Sequence, residues 1–475
     1  MRERNMFYIG GEWVAPKGPN VTNVINPADL SVCARVPNAT VADVDAAFQA
    51  AHAAFKAWSQ TTGEARKALL LRVADEMEHR IDDFIDVHVD SLGIPRHQAQ
   101  MVHVDGPIEA VRYFAELAAS LDQVHTVPGM RIHREPVGVC ALINPWNYPL
   151  LQMIGKVAPA LAAGCTVVEK PSEETPEADF IMAEIFDSAG LPAGVFNLIN
   201  GVGADVGPLM SSHPLADMVS FTGSTRAGVS VALEAAPSVK RVCQELGGKS
   251  PLIITQDADL EAAVTYGVEN VFLNAGQTCD ALTRRLVPTE SYDKVIEIAR
   301  AVAADHRVGD PEDASTTIGP LVSMRQKARV DHYLEVGVAE GAELIVGGPG
   351  LPSGVDAGAY VQATIFGRVT PEMTIAREEI FGPVVCIMTY DSIEQAIEIA
   401  NDSPFGLSAA VWAGDEATAC GIAQQLRAGQ CFIQGGCFRV DAPFGGYKQS
   451  GNGREWGEAG LAEYIETKAI IGYKR

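Results

Sequence analysis

The run 137–143 (VGVCALI) is followed by 165–169 (CTVVE), 195–199 (VFNLI), 217–222 (DMVSFT) and 239–243 (VKRVC). These five short apolar segments decide the fold. Their spacing predicts helices between them, at 150–163, 177–189, 204–212 and 226–236. Gly164 and Gly190 stand where helix C-terminal glycines belong. Strand starts recur about every 22 to 30 residues, the period of βαβ units in a parallel sheet. The reading is α/β: a doubly wound, Rossmann-type sheet that binds a dinucleotide-type ligand at the carboxyl ends of its strands.

Outward from this centre the pattern changes. Residues 41–60 form one amphipathic helix. Residues 64–92 read as another, with Leu70, Val73, Met77, Ile81 and Phe84 three or four apart. A second α/β pattern runs from about 247 to 440, with helices near 259–273, 291–305, 323–340 and 392–401. The tail from 441 is Gly-rich and ends in an apolar strand, 464–473. Such a strand needs a partner edge, in another subunit or in its own domain.

The chain has 475 residues, 60 acidic and 36 basic, for a formal charge of −24. That balance argues against nucleic-acid and anionic-membrane partners, and it requires that an anionic ligand be held by local groups. No apolar run reaches the ~18 to 20 residues of a membrane helix, and the first residues lack a leader pattern, so a cytoplasmic location is expected. The nine cysteines show no CxxC spacing and the ten histidines no HExxH pair, so no metal is expected.

Several turns carry chemistry. Strand 217–222 runs into Gly223-Ser224-Thr225-Arg226-Ala227-Gly228, a GxGxxG-like turn that aims amides at a phosphate; a plain strand–helix corner has the same pattern. Lys170 and Glu173 follow a strand, placed to grip a ribose or to pair with each other. Asn147 lies in a double-proline turn (145–149, PWNYP), where a fixed amide can face an oxyanion or simply shape the turn. Glu245 ends a strand beside two glycines, as a general base or as a surface acid. Cys279 sits on the turn NAGQTC (274–279), as a nucleophile or as one more small hydrophobe.

In their order these segments resemble the aldehyde dehydrogenase superfamily. The resemblance spans the chain: IGGEWV (9–14), NPA (26–28), PWNYP (145–149), EKPSE (169–173), FTGST (221–225), ELGGKSP (245–251), GQTC (276–279), EEIFGPV (378–384) and PFGGYKQSGNGRE (443–455). It implies an NAD(P)-binding domain at 1–123 and 144–245 and a catalytic domain at 246–440. It implies a β oligomerisation arm and tail at 124–143 and 441–475. It assigns Cys279 as nucleophile, Glu245 as the base that activates water, and Asn147 with the Cys279 N–H as oxyanion hole. Lys170 and Glu173 match ribose contacts, Gly223 and Ser224 the pyrophosphate turn, and Gly203 the adenine side. Trp146 lies along the cofactor, and Glu379 and Phe381 flank the nicotinamide ribose. Ile143, Pro145, Ser172, Phe221, Leu246 and Gly247 complete the cofactor site, while Tyr148, Thr278 and Phe438 line the substrate pocket.

The implied reaction is oxidation of an aldehyde to an acid through a hemithioacetal and a thioester on Cys279, hydrolysed by a Glu245-activated water. Coenzyme A-acylating relatives typically lack that acid, so hydrolysis is favoured here. Glu173 favours NAD over NADP by repelling a 2′-phosphate, although nearby Lys170 can tolerate one. A dimer or tetramer through the C-terminal strand is expected. A cysteine hydrolase would need neither the parallel-sheet pattern nor the EKPSE and FTGST turns. Asp280 is expected to point away from Cys279, and Arg439 to pair with Asp441.

Overall fold

The computed structural model describes residues 1–122 and 125–472. The boundary placed at 123/124, the first residue of the arm at 124 and residues 473–475 of the tail lie outside them.

Two large sheets dominate. The first has eight strands, in the order Gly451–Asn452, Arg241–Glu245, Met218–Thr222, Val139–Ile143, Thr166–Lys170, Phe196–Leu198, Phe7–Ile9 and Glu12–Val14. The five central strands are parallel. All residues of Val139–Ile143, Thr166–Lys170 and Met218–Thr222 are buried, as befits a sheet covered by helices on both faces. The intervening helices, Pro149–Ala163, Glu177–Ser188, Gly203–Ser211 and Thr225–Ala235, fall within a residue of the expected bounds. Chain order reverses between Val139–Ile143 and Met218–Thr222, which opens a crevice at their carboxyl ends.

The second sheet has seven strands, in the order Glu343–Val346, Thr364–Gly367, Val384–Tyr390, Arg284–Pro288, Pro251–Ile254, Ser408–Trp412 and Gln430–Ile433. Only its Glu343–Val346 edge is antiparallel. A small antiparallel sheet joins Ile465–Ile471, Met130–Pro136 and His125–Val127. None of the described helices is long and apolar enough to cross a membrane.

Three expectations need correction. The arm drawn at 124–143 is too long: its hairpin ends at Pro136, and Val139–Ile143 is a central strand of the first sheet. The tail from 441 is not all arm, because Gly451 pairs with Glu245 at the edge of that same sheet. The helix at 64–92 is two helices, Gly63–His79 and Ile81–Leu92, broken at Arg80 (φ −114°, ψ 16°). No glycine or proline marks that break. Arg80 instead ties off the corner by ion pairs to Asp83 and Glu184, and the apolar spacing continues across it.

Candidate active site

The PWNYP turn leaves the strand Val139–Ile143 and enters the helix Pro149–Ala163, whose first residue is a proline, a position where the missing N–H costs nothing. Its backbone is held by Asn144 N–H to Lys170 O at 3.0 Å and by Thr175 Oγ1 to Trp146 O at 3.1 Å. From this turn the Asn147 amide donates to Gln277 O at 3.0 Å, which sets it against the segment carrying Cys279. One of its two N–H bonds is so used, and the other is available to a ligand.

Cys279 comes from the segment between the strands Pro251–Ile254 and Arg284–Pro288 of the second sheet. The helix Leu260–Phe272 runs into a tight turn at Leu273–Gly276. A Cβ on Gly276 would come within 2.1 Å of the Gly382 backbone, so only glycine fits. Cys279 is half-buried. Burial raises its thiol pKa, and the charges of Glu245 and Asp280 raise it further. Both effects favour the protonated thiol in the resting site. No hydrogen bond joins Asp280 to Cys279, yet the Asp280 charge is felt there, and burial pushes its own carboxyl up to about 6.

Glu245 ends its strand fully buried, and neither carboxylate oxygen has a hydrogen-bond partner of regular geometry. Burial raises its pKa well above the usual carboxylate range and Glu455 adds to this, while Lys156 and the Cys279 thiol pull it down. Lys156, in turn, pairs with Glu455 Oε1 at 2.9 Å and donates to Thr222 Oγ1 at 2.8 Å. A buried carboxylate, raised in pKa and hydrogen-bonded by the Cys279 thiol, is poised for proton transfer.

Two adjoining cavities, of about 520 and 530 Å³, occupy the crevice. Cys279, Glu245, Asn147, Leu246, Gly247, Glu379 and Phe381 line the first. Ile143, Lys170, Ser172, Glu173, Gly203 and Phe221 line the second. Pro145, Trp146, Gly223 and Ser224 line both. All the expected catalytic and cofactor residues thus meet in one crevice. Tyr148, Thr278 and Phe438 line neither cavity. Tyr148 is half-buried, its hydroxyl 2.8 Å from Thr278 Oγ1. Phe438 packs edge-on to Trp456, ring centres 5.4 Å apart, in the apolar cluster that Cys279 also touches. Arg439 pairs with Asp441 at 2.6 Å, as expected.

The crevice fits a dinucleotide. Glu173 is held by the Gly203 N–H at 3.2 Å, and Lys170 lies 3.7 Å from it. A Cβ on Gly247 would meet Glu379 at 2.5 Å, so glycine leaves room for that carboxylate, which accepts from the Gly248 N–H at 2.9 Å. Trp146 and Phe381 stand edge to face, 5.3 Å apart. Arg226 and Arg325 line both cavities, and Arg226 makes no hydrogen bond or ion pair among the described residues. The sequence reading assigned roles to neither arginine, nor to Lys156. Arg226 lies within the quoted phosphate turn, the one signal that pointed to it.

A parallel sheet with a nucleotide-sized crevice at its switch point, facing a cysteine from a second α/β domain, defines a dinucleotide-dependent oxidoreductase. Residues 13–470 match the model of the aldehyde dehydrogenase family, and the chain belongs to that family as an NAD-dependent aldehyde dehydrogenase. It is 48% identical to the 3-succinoylsemialdehyde-pyridine dehydrogenase of a Pseudomonas species, over 100% of both chains. It is 46% identical, with a TM-score of 0.98, to aldehyde dehydrogenase C of Pseudomonas syringae, solved as a cysteine-to-alanine mutant with NAD+ and octanal; 99% of this chain and 97% of that one are covered. An aldehyde dehydrogenase of Mycobacterium tuberculosis with NAD+ is 40% identical, with a TM-score of 0.97 and 100% of both chains covered. NAD is the cofactor.

Proposed function

We propose that the chain oxidises an apolar aliphatic or aryl aldehyde to its acid through a thioester on Cys279. The observation that carries this is the meeting of Cys279, the Asn147 amide and the buried Glu245 carboxylate on one cavity wall. NAD, when bound, supplies the acceptor for the hydride that leaves the aldehyde carbon.

The chain's own residues do the rest. Cys279 Sγ gives its proton to solvent in the crevice and, as thiolate, adds to the aldehyde carbon, whose C=O π electrons move to the oxygen. The free N–H of Asn147 and the Cys279 backbone N–H stabilise the oxyanion. Glu245 lines the cavity and shares a hydrogen bond with the Cys279 thiol, whereas Glu379 is tied to the Gly248 N–H, so Glu245 accepts the proton of the water that cleaves the thioester. Glu173, at the ribose end, favours NAD over NADP. Cys279 packs on the apolar cluster that includes Phe444 and Trp456 and that Phe438 also touches, which favours substrates without charge near the aldehyde. Octanal in one relative's structure and the pyridine semialdehyde in another's name agree with that chemistry. Ile470 and Ile471 on the outer strand Ile465–Ile471 are exposed, which supports assembly of two or more copies along this edge.

The test is absorbance of reduced nicotinamide on mixing the protein with octanal, benzaldehyde, an aminoaldehyde and a carboxy-aldehyde, with NAD and NADP in parallel and no coenzyme A. Turnover fastest with the apolar pair and NAD is expected. Turnover only with the carboxy-aldehyde, or only with coenzyme A added, overturns the reading.

A further inference from the structure

The turn ahead of Cys279 holds three consecutive residues in the left-handed region: Asn274 (φ 50°), Ala275 (φ 53°) and Gly276 (φ 72°). Two of these carry a Cβ, and such a conformation persists only where its surroundings over-determine it. Asparagine tolerates left-handed backbone better than most residues, so conformation alone would account for the residue type at 274.

Its side chain does more. Asn274 is buried, and its Nδ2 donates to Asn147 O at 2.9 Å and to Gln277 O at 3.4 Å. Gln277 O is the same oxygen that accepts from Asn147 Nδ2 at 3.0 Å. Gln277 closes back on the turn, its N–H and its Nε2 both donating to Asn274 O at 3.1 Å. Its Oε1 accepts from the Val322 N–H at 2.9 Å. One buried amide therefore clamps the backbone of the oxyanion residue, which comes from the first domain, to the turn that carries the nucleophile, which comes from the second.

We propose that Asn274 is a positioning residue that sets the Asn147 amide in register with Cys279. The inference rests on the mechanism proposed above. Without the Asn274 donor, the buried Asn147 carbonyl loses its partner and the 145–148 turn is free to shift. An oxyanion donor displaced by about 1 Å costs on the order of 10²-fold in rate. The loss falls on kcat, because the ground-state aldehyde needs this amide less than the oxyanion does.

The experiment uses the full-length protein with Asn274→Gly and Asn274→Asp. Glycine keeps the left-handed backbone and removes the amide; aspartate keeps the shape and removes the donor. Expected for both is a fall in kcat of about 10²-fold, with KM for the aldehyde and NAD affinity, read by tryptophan fluorescence, within about twofold. Alkylation of Cys279 by iodoacetamide, which needs no oxyanion hole, is expected at the wild-type rate. A glycine variant with wild-type kcat overturns the proposal and leaves Asn274 a purely conformational choice. Equal losses of kcat, NAD affinity and alkylation in both variants overturn it too, as a collapse of the site. Cys279→Ala run alongside separates the two readings: if that variant still turns over, the thioester mechanism itself has failed.

Discussion

The two parallel sheets bury charge differently. Around the eight-stranded sheet, acids and lysines are buried together: Glu169, Asp179, Glu245 and Glu455 with Lys156 and Lys170. Within the seven-stranded sheet and its flanks, the buried charges are cations: Lys249, Arg284 and Arg285. Arg284 donates to Lys249 O at 2.8 Å, Ile399 O at 3.0 Å and Ala400 O at 2.8 Å. The last two belong to the final turn of the helix Ile393–Asn401, whose dipole and free carbonyls suit a cation. Arg285 has one long contact, to Val264 O at 3.5 Å, and two nitrogens without partners. Burial holds Arg284 down to about 10 and Arg285 to about 9. On the first sheet, burial instead raises Glu169, Asp179 and Glu245. Glu245, the one of these three that lines the crevice, is thus brought toward the range where protons move. The cations of the second sheet serve packing, and they need carbonyls rather than counter-ions.

The comparison breaks first at Cys279. Cys279→Ala should abolish formation of reduced nicotinamide while NAD still binds, and undiminished turnover would remove the second sheet's only proposed chemical role. Next is Glu245→Gln, expected to give a burst of about one reduced nicotinamide per site and then stall. In the wild type the deacylation rate should rise with pH, because the raised carboxyl gains its basic form only well above the usual carboxylate range. A pH-independent rate would show that Glu245 is not the base.

Arg284→Met should cost about 3 kcal/mol in denaturant unfolding, since it strips three buried carbonyls of their donor. Arg285→Met should be neutral to within about 1 kcal/mol or stabilising, because an unpaired buried guanidinium is replaced by an apolar chain. Equal losses at both sites would erase the distinction between a satisfied and an unsatisfied cation.

The smallest effect is expected from Asp280→Asn. Removing that charge should lower the midpoint of Cys279 alkylation with pH. The Asp280 carboxyl is raised from 3.8 to about 6, so between those values the folded state binds more protons than the unfolded one and stability falls as pH rises. Asp280→Asn should flatten that slope. Lys249, lowered to about 8 by burial, acts in the opposite sense, its contribution to stability rising with pH above 8. An unchanged slope and alkylation midpoint in Asp280→Asn would show that the Asp280 charge does not reach the thiol.

Much of this was legible beforehand. The repeating βαβ spacing located the five central strands of the first sheet, and motif order located Cys279, Glu245, Asn147 and the expected cofactor residues of its crevice, but not Arg325, Gln326 or Arg329. The pocket triad Tyr148, Thr278 and Phe438 fared differently. Tyr148 is sealed against Thr278 and stacked on His103, ring centres 4.9 Å apart, a contact between segments that share no local pattern. Arg80 broke a helix with no glycine or proline to announce it. The pairing of Gly451 with Glu245 joined the tail to the first sheet, and no periodicity links strands so far apart in the chain.

The sequence by itself determined the order of the central strands and their helices and the two α/β patterns, because periodicity and turn chemistry act over a few residues, and its motifs marked the candidate reacting groups. Only the tertiary structure decided their state. It buried the Glu245 carboxylate near Glu455, Lys156 and the Cys279 thiol, raised the pKa of both Glu245 and Cys279 by desolvation, and tied the Asn147 backbone to the nucleophile turn through Asn274. Desolvation and charge coupling depend on what surrounds a group in space, and the groups that surround these come from distant parts of the chain.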